Sequence, residues 1–483
     1  MRLVRPYTLF RVSVMMAWLV LFGLLLKRDY FIDTLRQREA QVLEQHAQES
    51  FLGVYFNAAR IGYVKNSFTQ TVESEITLTQ EAYLLLNILN EHHPVRMRGR
   101  AFLTSGYLLK EFSIHFESPF YRMDATGEVE GTTVHFVIDT GKERITDSVS
   151  LNSPPFISTN RRAYLLDASL HEDSKIKVPY FDPILLTGQD AVVQYKGRDK
   201  QIIQGRIYNL HRFVESYNNI RVSSWLNDEG LVVKEETPAG FVFIAEPEFR
   251  ATEISKNGPE LLSSVSVPLA GTMPDLAGRK EISFRLQLPE NSVFPALDND
   301  RQHREGDILT VTLEDLPDET AQVCQGQSAE LSSTSYIQVE SPAIKQMALS
   351  LIAQAPTPLE KVRTLSQWIY LNLEKRPVLG LPDALTTLGS RKGDCNEHAA
   401  LFAALARSAG IPTRVVAGVT FHAGAFYYHA WNEICMGENW ISVDTTKNEL
   451  PADLTHIKFV HGEIGEQLKI GALLGKLRVA IAE

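Results

Sequence analysis

The stretch Arg391–Val419, RKGDCNEHAALFAALARSAGIPTRVVAGV, decides how the last third of the chain folds. A polar loop ending in Gly393-Asp394 delivers Cys395 to an Ala/Leu-rich run. Asp394 or Cys395 can start a helix there. Ala400, Leu401, Ala404 and Leu405 give it an apolar face, and Gly410, with Pro412 close behind, stops it. Cys395 then sits at a helix N-terminus, where free N–H groups and the helix dipole are expected to lower the thiol pKa and can hold an oxyanion. An isolated cysteine is more often a small buried hydrophobe. The nucleophile reading therefore needs an imidazole and a carboxylate downstream.

Three strand-like runs follow: TRVVAGVTF from Thr413, AFYYHAWNEICM from Ala425 and NWISVDTT from Asn439. His429 lies on the second and Asp444 on the third, with a tight turn near Gly437 between them. If the loop is Met436-Gly437, His429 faces Asp444 directly. If it is Gly437-Glu438, His429 faces Thr446 and Asp444 lies diagonal on the same face. Either register brings carboxylate and imidazole within reach of cross-strand neighbours, with Trp431 and Glu433 on that face too. A helix-terminal thiol, an imidazole and an orienting carboxylate are the parts of thiol acyl transfer: Cys395 attacks, His429 moves the proton, Asp444 holds the ring.

GDCNEHAALFAALARSAGIPTRVVAG around Cys395, FYYHAW around His429 and WISVDTT around Asp444 together resemble the transglutaminase-like superfamily, over roughly residues 336–462. The resemblance implies a papain-like α+β core, cysteine-dependent chemistry at amide bonds, a protein or peptide substrate and no cofactor. It also implies Cys395, His429 and Asp444 as catalytic residues. Animal transglutaminases carry a tryptophan before the nucleophile. PVLGLPDALTTL, the corresponding stretch, has none, so only the Cys395 N–H is assigned to an oxyanion hole. No oxygen-ligand cluster suggests calcium dependence. His422, His456 and His461 are scattered without metal-ligand spacing, and no metal is expected. Glu397 and His398 read as helix-terminus packing or hydrogen bonding, Cys435 as a buried hydrophobe and Cys324 as incidental. The three cysteines suggest no disulfide framework.

The remainder of the 483 residues is too long for one ordinary domain. A net charge of −10 argues against nucleic acid, whose phosphates need a basic face. VSVMMAWLVLFGLLL, Val12–Leu26, carries no charge, and with Tyr7–Arg11 added it reaches about 30 Å as a helix, enough to span a bilayer. The following KRDYF offers no small-residue cleavage site, so an uncleaved anchor over 1–28 is expected rather than a signal peptide. Flanking Arg and Lys are nearly balanced and leave the orientation open. The simpler topology places the main domains outside the cytoplasm, in the periplasm if the source is bacterial.

Residues 29–50 read as a helical stalk, rich in Gln, Glu, Arg and Ala. From 51 to 250, short alternating runs punctuated by Gly, Asn and Asp give a β-rich domain, with a hairpin at Asp228-Glu229-Gly230 and an interposed helix at EAYLLLNILNEHH, Glu81–His93. Its texture resembles the curved antiparallel sheets of periplasmic lipoprotein carriers. Residues 251–335, with EISFRLQLP and DILTVTLEDL, form a small β region or linker arm, and 336–483 is the catalytic domain. The expected architecture is α+β: a transmembrane helix, β-rich domains, then the papain-like core. The expected function is membrane-anchored acyl transfer, with hydrolysis and amine transfer both open. A non-catalytic envelope scaffold on the same fold is the alternative.

Overall fold

The computed structural model describes residues 49–70, 75–141, 144–166, 170–217, 220–255, 258–288, 297–473 and 476–482. The expected anchor at 1–28 and the stalk up to residue 48 lie outside the described residues. No helix among the described residues is long and apolar enough to cross a membrane. Glu49 and Ser50, read as the end of the stalk, open the strand Glu49–Phe56.

Residues 49–246 form one fourteen-stranded antiparallel sheet. Strands adjacent in sequence pair except Arg144–Ser150 and Lys175–Asp182, which form the two edges, and the first strand pairs with the last, Phe51 opposite Glu246. The sheet rolls up. Leu78, Phe112 and Ile114 from one half line the same cavity of about 200 Å³ as Tyr180, Glu215 and Val222 from the other. Phe112 and Phe136 meet Phe181 across it, with ring centroids 5.3 and 6.4 Å apart. The Asp228-Glu229-Gly230 turn joins the strands Ile220–Leu226 and Val232–Glu236. Gly230 takes φ +76, and a Cβ there would lie 2.5 Å from the Ala163 backbone, so glycine is required.

The helix expected at Glu81–His93 is absent. The strands Ile76–Ile88 and Glu91–Leu103 occupy that stretch, joined by a two-residue turn in which Leu89 and Asn90 both take positive φ. Ala82, Leu84 and Leu86 alternate onto one face and pack against Leu52, Val54 and Phe56. Leucine-rich composition favours helix locally, but a pairing edge on both sides overrides propensity.

The second unit is α+β. Its nine-stranded sheet draws Val267–Ala270, Glu281–Gln287, Gln302–Glu305 and Ile308–Thr312 from the segment read as a linker arm. These join Thr413–His422, Ala425–Met436, Asn439–Val443, Ile457–His461 and the terminal Arg478–Ile481. Val267–Ala270 bridges the two sets, pairing with Ala425–Met436 on one side and Arg478–Ile481 on the other. The helices Pro342–Ile352, Pro358–Asn372 and Ala384–Ser390 pack around Cys395–Ser408. That last helix is buried on nearly every side, its small alanines letting strands and helices approach closely.

The two units share a core. Tyr121, from the turn after the strand Leu109–Glu117, is buried with Tyr336 and Leu381 of the second unit. The Tyr336 hydroxyl donates to the Leu185 carbonyl of the rolled sheet at 3.2 Å.

Candidate active site

Asp394 caps the Cys395–Ser408 helix. Its carboxylate accepts from the Asn396 N–H at 2.9 Å, and Glu397 accepts in return from the Asp394 N–H at 2.9 Å, a reciprocal capping box. Cys395 is thereby fixed in the first helical turn. The helix start docks on the strand Ala425–Met436: Tyr428, next to His429, hydrogen-bonds the Asn396 side chain at 2.8 Å.

The hairpin takes the second of the two registers. Met436 pairs with Asn439 and Asn432 with Val443, so the loop is Gly437-Glu438 and Gly437 takes φ +64. His429 then falls opposite Thr446, whose Oγ1 lies 3.2 Å from the ring Nε2, and Asp444 reaches in diagonally with Oδ2 at 2.8 Å from the same nitrogen. Trp431 stacks on His429 with centroids 6.1 Å apart. Across the sheet from His429 is Gly418. A Cβ there would lie 1.9 Å from the Ile457 carbonyl oxygen and 3.0 Å from Trp431, so only glycine lets the next strand close over the ring.

His456 also belongs to this cluster. It is fully buried, with Nε2 3.1 Å from the same Asp444 Oδ2 and Nδ1 2.8 Å from Asp453 Oδ1. The sequence spacing misses it because Ile457–His461 pairs with Thr413–His422, which folds His456 back onto Asp444. Asp444 Oδ1 meanwhile accepts from the Thr446 N–H at 2.7 Å and from the Thr446 hydroxyl. Burial opposes charge on Asp444, but the two imidazoles outweigh it and hold the carboxyl well below its usual range. Burial likewise opposes charge on His456, yet its two carboxylate partners raise its pKa. With a carboxylate on each nitrogen, His456 carries both protons.

Cys395 behaves differently from the sequence expectation. Burial first, and then the Asp394 carboxylate, push the thiol well above its ordinary value, with only the Ala430 N–H prominent in the opposite sense. The capping acids cancel what the helix dipole would give. His398 is buried and lowered to about 4, mainly by burial, and its Nδ1 donates to the Thr445 carbonyl at 3.2 Å. Glu397 serves in the capping box. The other two cysteines are not separate, as the sequence suggested. Cys324 and Cys435 form a disulfide with Cα atoms 5.4 Å apart, leaving Cys395 as the free thiol. Their sequence separation of 111 residues hid the pairing.

His429, Asp444 and His456 converge closely enough to hold a cation, as do Glu449, Asp453 and His456. Two ring nitrogens at 2.8 and 3.1 Å from one carboxylate oxygen also fit N–H donors to that oxygen.

Residues 345–445 match the family model of the transglutaminase-like superfamily. An uncharacterised protein of Haemophilus influenzae is 32% identical over 98 residues, which are 19% of this chain and 26% of that protein. The chain thus covers about a quarter of that relative's length. Among solved structures, a candidate cysteine protease from Cytophaga hutchinsonii is similar over 41% of this chain and 83% of its own, at 18% identity and a TM-score of 0.29. A β-barrel-like protein of a domain of unknown function from Brucella abortus is similar over 41% of this chain and 94% of its own, at 10% identity and a TM-score of 0.33. By the family match, residues 345–445, which carry Cys395, His429 and Asp444, are a transglutaminase-like domain.

Proposed function

We propose that this domain is a thiol acyltransferase acting on amide or peptide bonds through Cys395, His429 and Asp444. The observation that carries the reading is the hydrogen bond from His429 Nε2 to the buried Asp444, on the strand whose Tyr428 binds Asn396 beside Cys395. Asp444 holds Nε2, which leaves Nδ1 for the thiol. The thiol rests protonated, so His429 accepts its proton as sulfur attacks the carbonyl carbon. The Cys395 N–H stabilises the oxyanion. The tetrahedral adduct collapses, the C–N bond breaks and His429 returns the proton to the leaving amine, giving a thioester. Water or an amine then attacks that thioester as His429 takes its proton; the C–S bond breaks and His429 returns the proton to the Cys395 sulfur, releasing an acid or a new amide. His456 is a positioning residue that keeps Asp444 ionised and fixed.

An exported location for the domain fits the Cys324–Cys435 disulfide, since such bonds persist in oxidising compartments. An N-terminal anchor would then hold it at a membrane surface. The test of the chemistry is p-nitrophenyl acetate with mass spectrometry. An acetyl thioester is expected on Cys395, absent in Cys395→Ala and slowed about 10²–10⁴-fold in His429→Ala. Absence of the adduct, or an unchanged rate in His429→Ala, would leave a non-catalytic scaffold.

A further inference from the structure

The chain is acidic overall, yet the approach to Cys395 is basic. The short strands Glu374–Lys375 and Lys392–Gly393 pair in parallel directly before the capping box, with the Arg376 N–H donating to the Gly393 carbonyl at 3.1 Å. They bring four cations together: Lys375, Arg376, Arg391 and Lys392. Each lies over an aromatic ring. Lys375 is 4.0 Å from the centroid of Tyr370, and Arg391 is 4.2 Å from that of Trp368. Arg376 and Lys392 share Phe120, at 4.5 and 5.4 Å. Tyr370 and Trp368 project from the Pro358–Asn372 helix, and Phe120 lies in the turn between the rolled-sheet strands Leu109–Glu117 and Arg122–Glu130, so both units of the molecule build the patch.

Ring faces hold cations in place without neutralising them. Among the described residues, the carboxylate ion pair made by these four is Arg376 with Glu374, at 3.5 Å. The acids beneath the patch, Asp394 and Glu397, are engaged with each other in the capping box. The patch therefore presents ring-held positive charge, of which Glu374 offsets part at Arg376. Lys392 is three residues from Cys395, a span of at most about 11 Å for extended chain. A substrate segment with its scissile carbonyl at the sulfur can place a side chain within two to four residues against these cations.

We infer that the acyl donor is an acidic polypeptide segment, read by Lys375, Arg376, Arg391 and Lys392 through carboxylates flanking the scissile bond. This deepens the acyltransferase reading and rests on it. Contact between the patch and the nucleophile's own loop favours a substrate over an anionic lipid surface, which would need no such proximity.

The test compares two peptidyl acyloxymethyl ketones, one with glutamates and one with lysines flanking the electrophile, on the full chain. The readout is the ratio of their rates of Cys395 labelling. At low salt the acidic label is expected to be at least tenfold faster. The ratio should fall toward one in about 1 M salt, where the Debye length is about 3 Å. Arg376→Glu with Lys392→Glu should invert the ratio. If that variant does not fold, the salt dependence of the wild-type protein decides alone. Equal labelling by both peptides, or a preference indifferent to salt, would overturn the inference while leaving the thiol chemistry standing. Equal labelling with salt-sensitive binding to phosphatidylserine vesicles would reassign the patch to a membrane. Failure of both labels and of p-nitrophenyl acetate to modify Cys395 would remove the acyltransferase reading and this inference with it.

Discussion

Asp444 is the residue on which the candidate site turns. One of its oxygens receives two imidazoles, and the other receives Thr446. Replacing His456 with Asn removes a buried cation from a buried carboxylate and is expected to destabilise the domain by about 3–5 kcal/mol. It should also slow acylation per folded molecule, because Asp444 loses the partner that fixes it against His429. A purely structural role for His456 would leave the rate per folded molecule unchanged. The signs for stability follow from the same groups. Asp444 and Asp453 have lowered folded values, so their contribution is present above the unfolded value of about 3.9 and is lost as pH falls. His456 has a raised folded value, so its contribution is complete below about 6.5 and is lost as pH rises through that raised value. Thermal melts should therefore show greatest stability between these limits, and His456→Asn should flatten the alkaline decline. The Cys395 thiol is raised, so its alkylation by iodoacetamide should keep climbing above pH of about 8.5, where an ordinary thiol levels off.

At the scale of the element, two close approaches fix the strand carrying His429. Gly418 lets Ile457–His461 lie against Thr413–His422. Gly418→Ala would drive a Cβ into backbone and is expected to cost about 1–3 kcal/mol or more, read by chemical denaturation, with a matching loss of acylation. At the far end of the same strand, Cys435 ties down the extended stretch around Cys324. The Cys324 N–H also donates to the Cys435 carbonyl at 3.2 Å, and the Gly437 N–H to Gln322 at 2.8 Å. Reduction opens a loop of 111 residues and should lower stability by about 2–5 kcal/mol while Cys395 remains acylated at low temperature. Complete loss of acylation on reduction without unfolding would show that the tether itself positions the hairpin.

Across the whole molecule, Tyr121 joins the rolled sheet to the α+β unit. A Cβ on Gly380 would meet its ring at 2.3 Å, so the two surfaces are in intimate contact. Tyr121→Ala leaves a cavity between the units and is expected to cost about 3–5 kcal/mol, seen as separation of one melting transition into two. The sequence by itself determined the order of Cys395, His429 and Asp444, the capped helix that presents the first and the Gly437 hairpin that brings the others together. Those signals are local: a cap acts over three residues and a strand alternates every two. Only the tertiary structure chose the hairpin register, brought His456 onto Asp444, paired Cys324 with Cys435 and turned Glu81–His93 into strands. It also raised the Cys395 thiol that the helix dipole alone would lower. Each of these depends on burial or on a partner distant in sequence, and desolvation and long-range pairing exist only once the chain has packed.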